Sequence, residues 1–164
     1  MDSVNLNRLL ARLPEMWVVD CNRAQESATT PAALPLTDVT AEAVVYSAST
    51  VALAVLETAA HINDTGLPLD RYLVEIEVPS AVWRTRITLV ASKLPPQWDA
   101  IPAGMASAVV GSRWLTVQKS AVLLVPSVIV PEEYATLINP AHPQAAAISA
   151  RAVRKFEYNR LFRR

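Results

Sequence analysis

The sequence predicts an α+β domain. Short apolar, β-branched runs recur from residue 43 onward, two helical patterns stand among them, and the two kinds of element do not follow the regular β–α–β order of a parallel sheet. With 164 residues, 52% of them apolar, the chain has material for one core and one domain.

Residues 4–12 (VNLNRLLAR) space their apolar positions as a short amphipathic helix does. The opening stretch MDSVNLNRLLARLPEMW scatters charges through its apolar part and reads as a short amphipathic helix, not as a signal peptide. Residues 20–42 carry Pro, Ser and Thr without periodicity, the pattern of a long loop or a weakly ordered segment. From Ala43 the pattern tightens. AVVYS is a strand. Ser49 and Thr50 are N-cap candidates for STVALAVLETAAHI, a helix apolar around most of its circumference and so expected to be largely buried. Asn63, Asp64 and Gly66 end it. RYLVEIEVP alternates and forms a strand stopped by Pro79, and RITLVA is another. SKLPPQWDAIPAG is a proline-rich connection, and MASAVVGSRWLTVQK a helix weakened by Gly111. SAVLLVPSVIVP is a buried strand broken at Pro126, EYATLINP a further strand, NPAHP a turn, and ARAVRKFEY an alternating strand that closes the sheet. There is no internal repeat. The one boundary falls near residue 42, separating an atypical segment, 1–42, from a domain at 43–164.

Fifteen basic residues balance fifteen acidic ones, so nothing electrostatic points to nucleic acid. The basic cluster at the end (Arg151, Arg154, Lys155, Arg160, Arg163, Arg164) reads as a solvated tail. Cys21 is the sole cysteine. It can make neither an internal disulfide nor a multi-cysteine zinc site, which points to a reducing compartment. Prolines and charges interrupt every apolar run before it could span a bilayer, and a soluble cytoplasmic protein is expected. Twelve prolines stand against three glycines, with no GxGxxG and no GxxxxGK[ST]. A nucleotide bound here would have its phosphates held by side chains.

Candidate chemistry gathers on the helix from Ser49 to Ile62, where Thr50, Glu57, Thr58 and His61 share one narrow face. The ordinary explanation is a solvated stripe. The functional one is a cleft lining, in which a carboxylate walled by apolar groups accepts a hydrogen bond from a ribose hydroxyl. Tyr46 is either a core aromatic with its hydroxyl at the surface or a ring that stacks on a flat ligand. Ser120 and Ser127 bracket the LLVP strand, and neither has the neighbouring His and acid of a hydrolase nucleophile. His61 and His142 lack metal-ligand spacing, so no metal is expected, and His142 reads as a turn residue. Glu75 and Glu77 share a strand face, which fits a solvated face better than a glycosidase pair.

Taken in order, VVYSAST, ALAVLETAAHI, YLVEIEVP, LPPQWDA, SAVLLVPSVIVPEE and INPAHP resemble the RES domain, from about Ala43 to Tyr158. That family is named for an Arg, a Glu and a Ser. The resemblance implies an ADP-ribosyltransferase-like fold, small sheets with packed helices around an NAD cleft, and cleavage of NAD⁺ at the nicotinamide–ribose bond. Water, phosphate or a protein side chain would be the acceptor, and an Xre-type helix-turn-helix antitoxin the partner. By resemblance Glu57 is the family glutamate, Tyr46 the family tyrosine, and Ser127 the family serine, with Ser120 as its alternative. In the family an arginine with a fork suited to a diphosphate stands in a Gly-Arg-Trp segment about ten residues before the tyrosine. The matching place here is Leu36, and no Gly-Arg-Trp occurs in residues 1–45. Three readings fit that departure: another cation, such as Arg23, Arg86 or Arg113; an impaired member that serves as an antitoxin-binding module; or a start that is not the native one. His61, on the glutamate's helix face, joins Tyr46 and Arg23 as a candidate binding residue.

Overall fold

The computed structural model describes residues 15–21, 44–60, 71–101 and 103–161. Their strands are β1 (Glu15–Cys21), β2 (Val45–Ala48), β3 (Arg71–Glu77), β4 (Ile87–Thr88), β5 (Val122–Pro126), β6 (Tyr134–Ile138) and β7 (Ser149–Phe156). The helices are α1 (Val51–Ala60), α2 (Ser80–Arg84) and α3 (Met105–Val117). The α+β expectation holds.

The strands run in the order β4-β5-β6-β2-β1-β3-β7, antiparallel except for the β4–β5 pair. Pairing along this row is uneven. β1 follows β3 over its whole length, from Glu15↔Glu77 to Cys21↔Arg71, but meets β2 at the single pair Trp17↔Ala48. The row is therefore two small sheets, β4-β5-β6-β2 and β1-β3-β7, hinged at one residue. The main core spans both. Val45, Val122, Leu124 and Ile138 of the first sheet share a cluster with Ile76 of β3, with Val78, and with Val82 and Trp83 of α2. Period-two alternation sends Leu123 and Leu137 to the opposite face, where Trp114 of α3 covers them. Helix α1 sits at the hinge and packs Leu53, Ala54 and Val55 against Ala48, Leu73 and Tyr158.

Several elements differ from the sequence reading. The stretch expected to be helix through Trp17 and loop from Asp20 is instead strand β1 over Glu15–Cys21, whose β-branched Val18 and Val19 suit a strand held between two others. The helix expected at 4–12 and the remainder of 22–43 lie outside the described residues, as does the helix stop at 63–66. Helix α1 buries one face and not its circumference: Leu56 is exposed, because the hinge offers only one surface to cover. Thr50 is the working cap, its Oγ1 accepting from the Leu53 N–H at 3.1 Å. Pro79 stops β3 but also opens α2, whose five residues are too few to show periodicity. The strand expected over RITLVA shrinks to Ile87–Thr88. β7 does not close the sheet. It is the edge, and Ser149–Lys155 are all exposed where alternation was expected.

Two expectations follow. A Cβ placed on Gly111 meets nothing within 4 Å, so Gly111→Ala removes only backbone freedom from the unfolded chain and should raise stability by about 0.5–1 kcal/mol in urea unfolding. Burial pushes the Tyr158 hydroxyl pKa up from its ordinary 10.0, while the nearby Thr58 hydroxyl and the Arg71 charge pull it back. With the folded pKa above the unfolded one, this group's contribution is complete below the unfolded value and is lost as pH rises through the folded one. Tyr158→Phe should flatten the alkaline fall in melting temperature relative to wild type.

Candidate active site

The site begins where β5 ends. Pro126 pairs with Tyr134, and the Ser127 N–H then donates to the Glu133 carbonyl at 2.9 Å, closing a loop over 127–133. Inside it the Glu133 N–H donates to the Val130 carbonyl at 2.9 Å. The Ser127 hydroxyl turns inward and accepts from the N–H groups of Ile129 (3.1 Å) and Val130 (3.0 Å), the local bonding that makes serine a turn former. Its one proton goes to Glu57 Oε1 on α1, at 2.6 Å. A hydroxyl has one donor and two acceptor sites, and all three are in use. Ser127 is also 1% exposed. It therefore acts through Glu57 and has no bond left for a ligand.

Glu57 gains a fixed orientation. The donor is a hydroxyl already polarised by two N–H groups, and its short bond to a carboxylate is of the charge-assisted kind. Among the described residues the second oxygen, Oε2, carries no hydrogen bond, and no cation pairs with the carboxylate. A second tie joins the same elements near the start of α1, where Thr50 Oγ1 donates to Glu133 Oε2 at 3.4 Å. The loop is thus fastened to α1 at its cap and again near its end.

Tyr46 is exposed on β2. Alternation along β2 places it on one face with Ala48, which packs under α1. Its cross-strand partner Leu137 packs under α3, as does Val44 just before the strand. The exposed ring of Tyr46 therefore lies on the sheet between the two helices.

The other candidates fall elsewhere. Ser120 is fully buried beneath α3, where its hydroxyl accepts from Trp114 Nε1 at 3.1 Å and donates to the Val122 carbonyl at 3.0 Å. Of the two serines, only Ser127 is brought to Glu57. Arg86 turns to Trp83, with Nη1 2.9 Å from its carbonyl and the guanidinium 4.6 Å from the ring centre, and burial lowers its pKa. Arg113 is exposed on α3. Arg23 and His61 lie outside the described residues. His142 is a turn residue, its Nδ1 accepting from the Gln144 N–H at 3.1 Å. Glu75 pairs with Arg151 across β3 and β7. Glu133, which the sequence reading passed over, joins the site through the loop. Its only cue was its place in PEE between Ser127 and β6. Among the described residues no group of three His, Cys, Asp or Glu is arranged to hold a metal, and no helix is long and apolar enough to cross a membrane.

Ser127→Ala should cost about 1–3 kcal/mol in urea unfolding, since it strips a partner from two N–H groups and from Glu57. Glu57→Gln leaves an acceptor facing Ser127 and should cost less. Equal losses from both would show that the hydroxyl's bonds to the loop contribute nothing.

The family model of the RES domain matches residues 38–160. The chain is 57% identical over 117 residues to the Prs ADP-ribosylating toxin of Sphingobium sp. (strain YBL2), covering 71% of this chain and 73% of that protein. It is 37% identical over 100 residues to Toxin Res of Yersinia enterocolitica, covering 61% of this chain and 64% of the relative. With Toxin Res of Photorhabdus laumondii it shares 37% over 97 residues, covering 58% and 60%. The last two relatives are thus spanned over less than two thirds of their length. With Glu57 and Ser127 joined inside the matched region, the chain belongs to the RES-domain family.

Proposed function

We propose that this protein is an NAD⁺-consuming toxin that cleaves the nicotinamide–ribose bond and passes the ADP-ribosyl group to an acceptor. The observation that carries this is the Glu57 carboxylate, held at one oxygen by Ser127 and, among the described residues, unengaged at the other. When the bond from ribose C1′ to the nicotinamide nitrogen breaks, its electron pair leaves with neutral nicotinamide and positive charge develops on the ribose. A fixed carboxylate beside that carbon stabilises the charge, and its outward oxygen can accept from a ribose hydroxyl. Orientation comes in advance from Ser127 and its two N–H donors, so little reorganisation accompanies the step. Tyr46 offers a flat face for the nicotinamide ring.

Other parts of the reading rest on resemblance. Two small sheets meeting at a hinge, with α1 across it, agree with an ADP-ribosyltransferase-like fold around an NAD cleft. Arg23, as a substitute for the family arginine, and His61, from the glutamate's helix face, are the candidates for NAD⁺ binding. The partner is an Xre-type helix-turn-helix antitoxin. The name of the Sphingobium relative supports a protein acceptor over water or phosphate.

The purified chain should deplete NAD⁺ and release nicotinamide, and Glu57→Ala should slow this by about 10²-fold or more, the scale of losing one preorganised electrostatic group. Growth of a bacterium expressing the chain should be arrested, and Glu57→Ala should relieve the arrest. NAD⁺ that persists unchanged with the wild-type chain overturns the proposal.

A further inference from the structure

Exposed apolar side chains cluster around Glu57. Leu56 is 46% exposed, and one residue of α1 separates it from the carboxylate by about 100° around the helix. Val128 and Ile129, 40% and 42% exposed, stand on the loop that holds Ser127. The Ile129 N–H is 3.1 Å from the hydroxyl that in turn lies 2.6 Å from Glu57. Single exposed apolar residues are ordinary on any surface. These three differ in adjoining one carboxylate: Leu56 precedes Glu57, and Val128 and Ile129 follow the serine bonded to it, on a fastened loop.

We infer that Leu56, Val128 and Ile129 form a docking collar for a protein acceptor, an inference that rests on the NAD⁺-consuming reading. Water or phosphate needs no apolar rim to reach the ribose. A protein surface does gain from one: it buries area there and shields the charged ribose from water. The loop's internal bonds fix the rim beforehand, so ordering it on contact costs little. Exposed Glu132 and half-buried Glu133 flank the rim, so the matching acceptor surface carries an apolar side chain bordered by Lys or Arg. A second copy of this chain would set these carboxylates against each other. In the transfer, a lone pair on an acceptor oxygen or nitrogen forms the new bond to C1′ as nicotinamide departs with the old bonding pair. The acceptor's proton passes to Glu57 and then to solvent.

The test uses the full chain, labelled NAD⁺ and purified Prs protein, the acceptor named for the Sphingobium relative. Leu56→Gln, Val128→Thr and Ile129→Thr change exposed side chains without adding charge beside Glu57. Combined, they should cut labelling of Prs by about tenfold or more, as loss of a small contact centre does. Nicotinamide release without acceptor should stay within about twofold of wild type, since surface changes of this kind leave the fold intact. Labelling that stays at the wild-type rate overturns the collar and would fit a rim used only by an inhibitory partner. Nicotinamide release by wild type with no label on Prs also overturns it. Absence of nicotinamide release in every sample instead sinks the parent reading.

Discussion

The 2.6 Å hydrogen bond between Ser127 and Glu57 joins two parts of the chain seventy residues apart. It ties the end of β5 to the second half of α1, an apolar helix. Neither group would be stable alone: a serine hydroxyl buried to 1% exposure needs an acceptor for its proton, and a carboxylate beside apolar residues needs a donor. Together they satisfy each other at one carboxylate oxygen, and among the described residues the second carries no hydrogen bond. The loop after Pro126 exists to make this possible, because its two N–H groups fill the hydroxyl's acceptor sites and thereby aim its proton.

The uneven sheet gives that bond its setting. Were β1 and β2 paired along their length, the seven strands would form a continuous surface. A single pair, Trp17↔Ala48, joins the two halves, and Ile76 of β3 shares one core cluster with Val122 and Leu124 of β5. The fold leaves an angle at the hinge, and α1 fills it with only one face. Leu56 and Glu57 are left outside that packed face, and the loop after β5 comes to meet them. Helix α1 is thus a core element on one side and a site wall on the other. This explains why so apolar a helix carries a lone polar stripe.

Much of this was legible in the sequence wherever residue type and period agreed. The run VLLVP reads as a strand buried on both faces, and it is one. Thr50 before an apolar helix reads as a cap, and it caps. Elements shorter than two turns or supported from outside were not legible. Helix α2 has five residues, too few to show a period, and while β7 was read as a strand, its place at the sheet edge with Ser149–Lys155 all exposed was not foreseen. β1 was hidden because MWVVDC is flanked by a helical pattern before it and polar residues after it, while its stability comes from its two neighbours. At the site, pattern alone could not choose between Ser120 and Ser127. Both follow the rules for a strand end, and only the tertiary arrangement sends one hydroxyl to Trp114 and the other to Glu57.

The composition carries a further constraint. With twelve prolines and three glycines, the chain has few places where backbone can approach a ligand closely. Its chemistry must then come from side chains, which are mobile unless bonded. The loop over 127–133 meets that need by substituting hydrogen bonds for glycine geometry: Ser127 to its own turn, Glu133 back to Ser127, and Thr50 and Glu57 across to α1. Bonds of this kind lock side chains to one another, so the groups of the site move as a unit. Glu133 and Thr50 are thus linked to the carboxylate through the loop, and the backbone of Ile129 and Val130 is held by the same hydroxyl that holds Glu57.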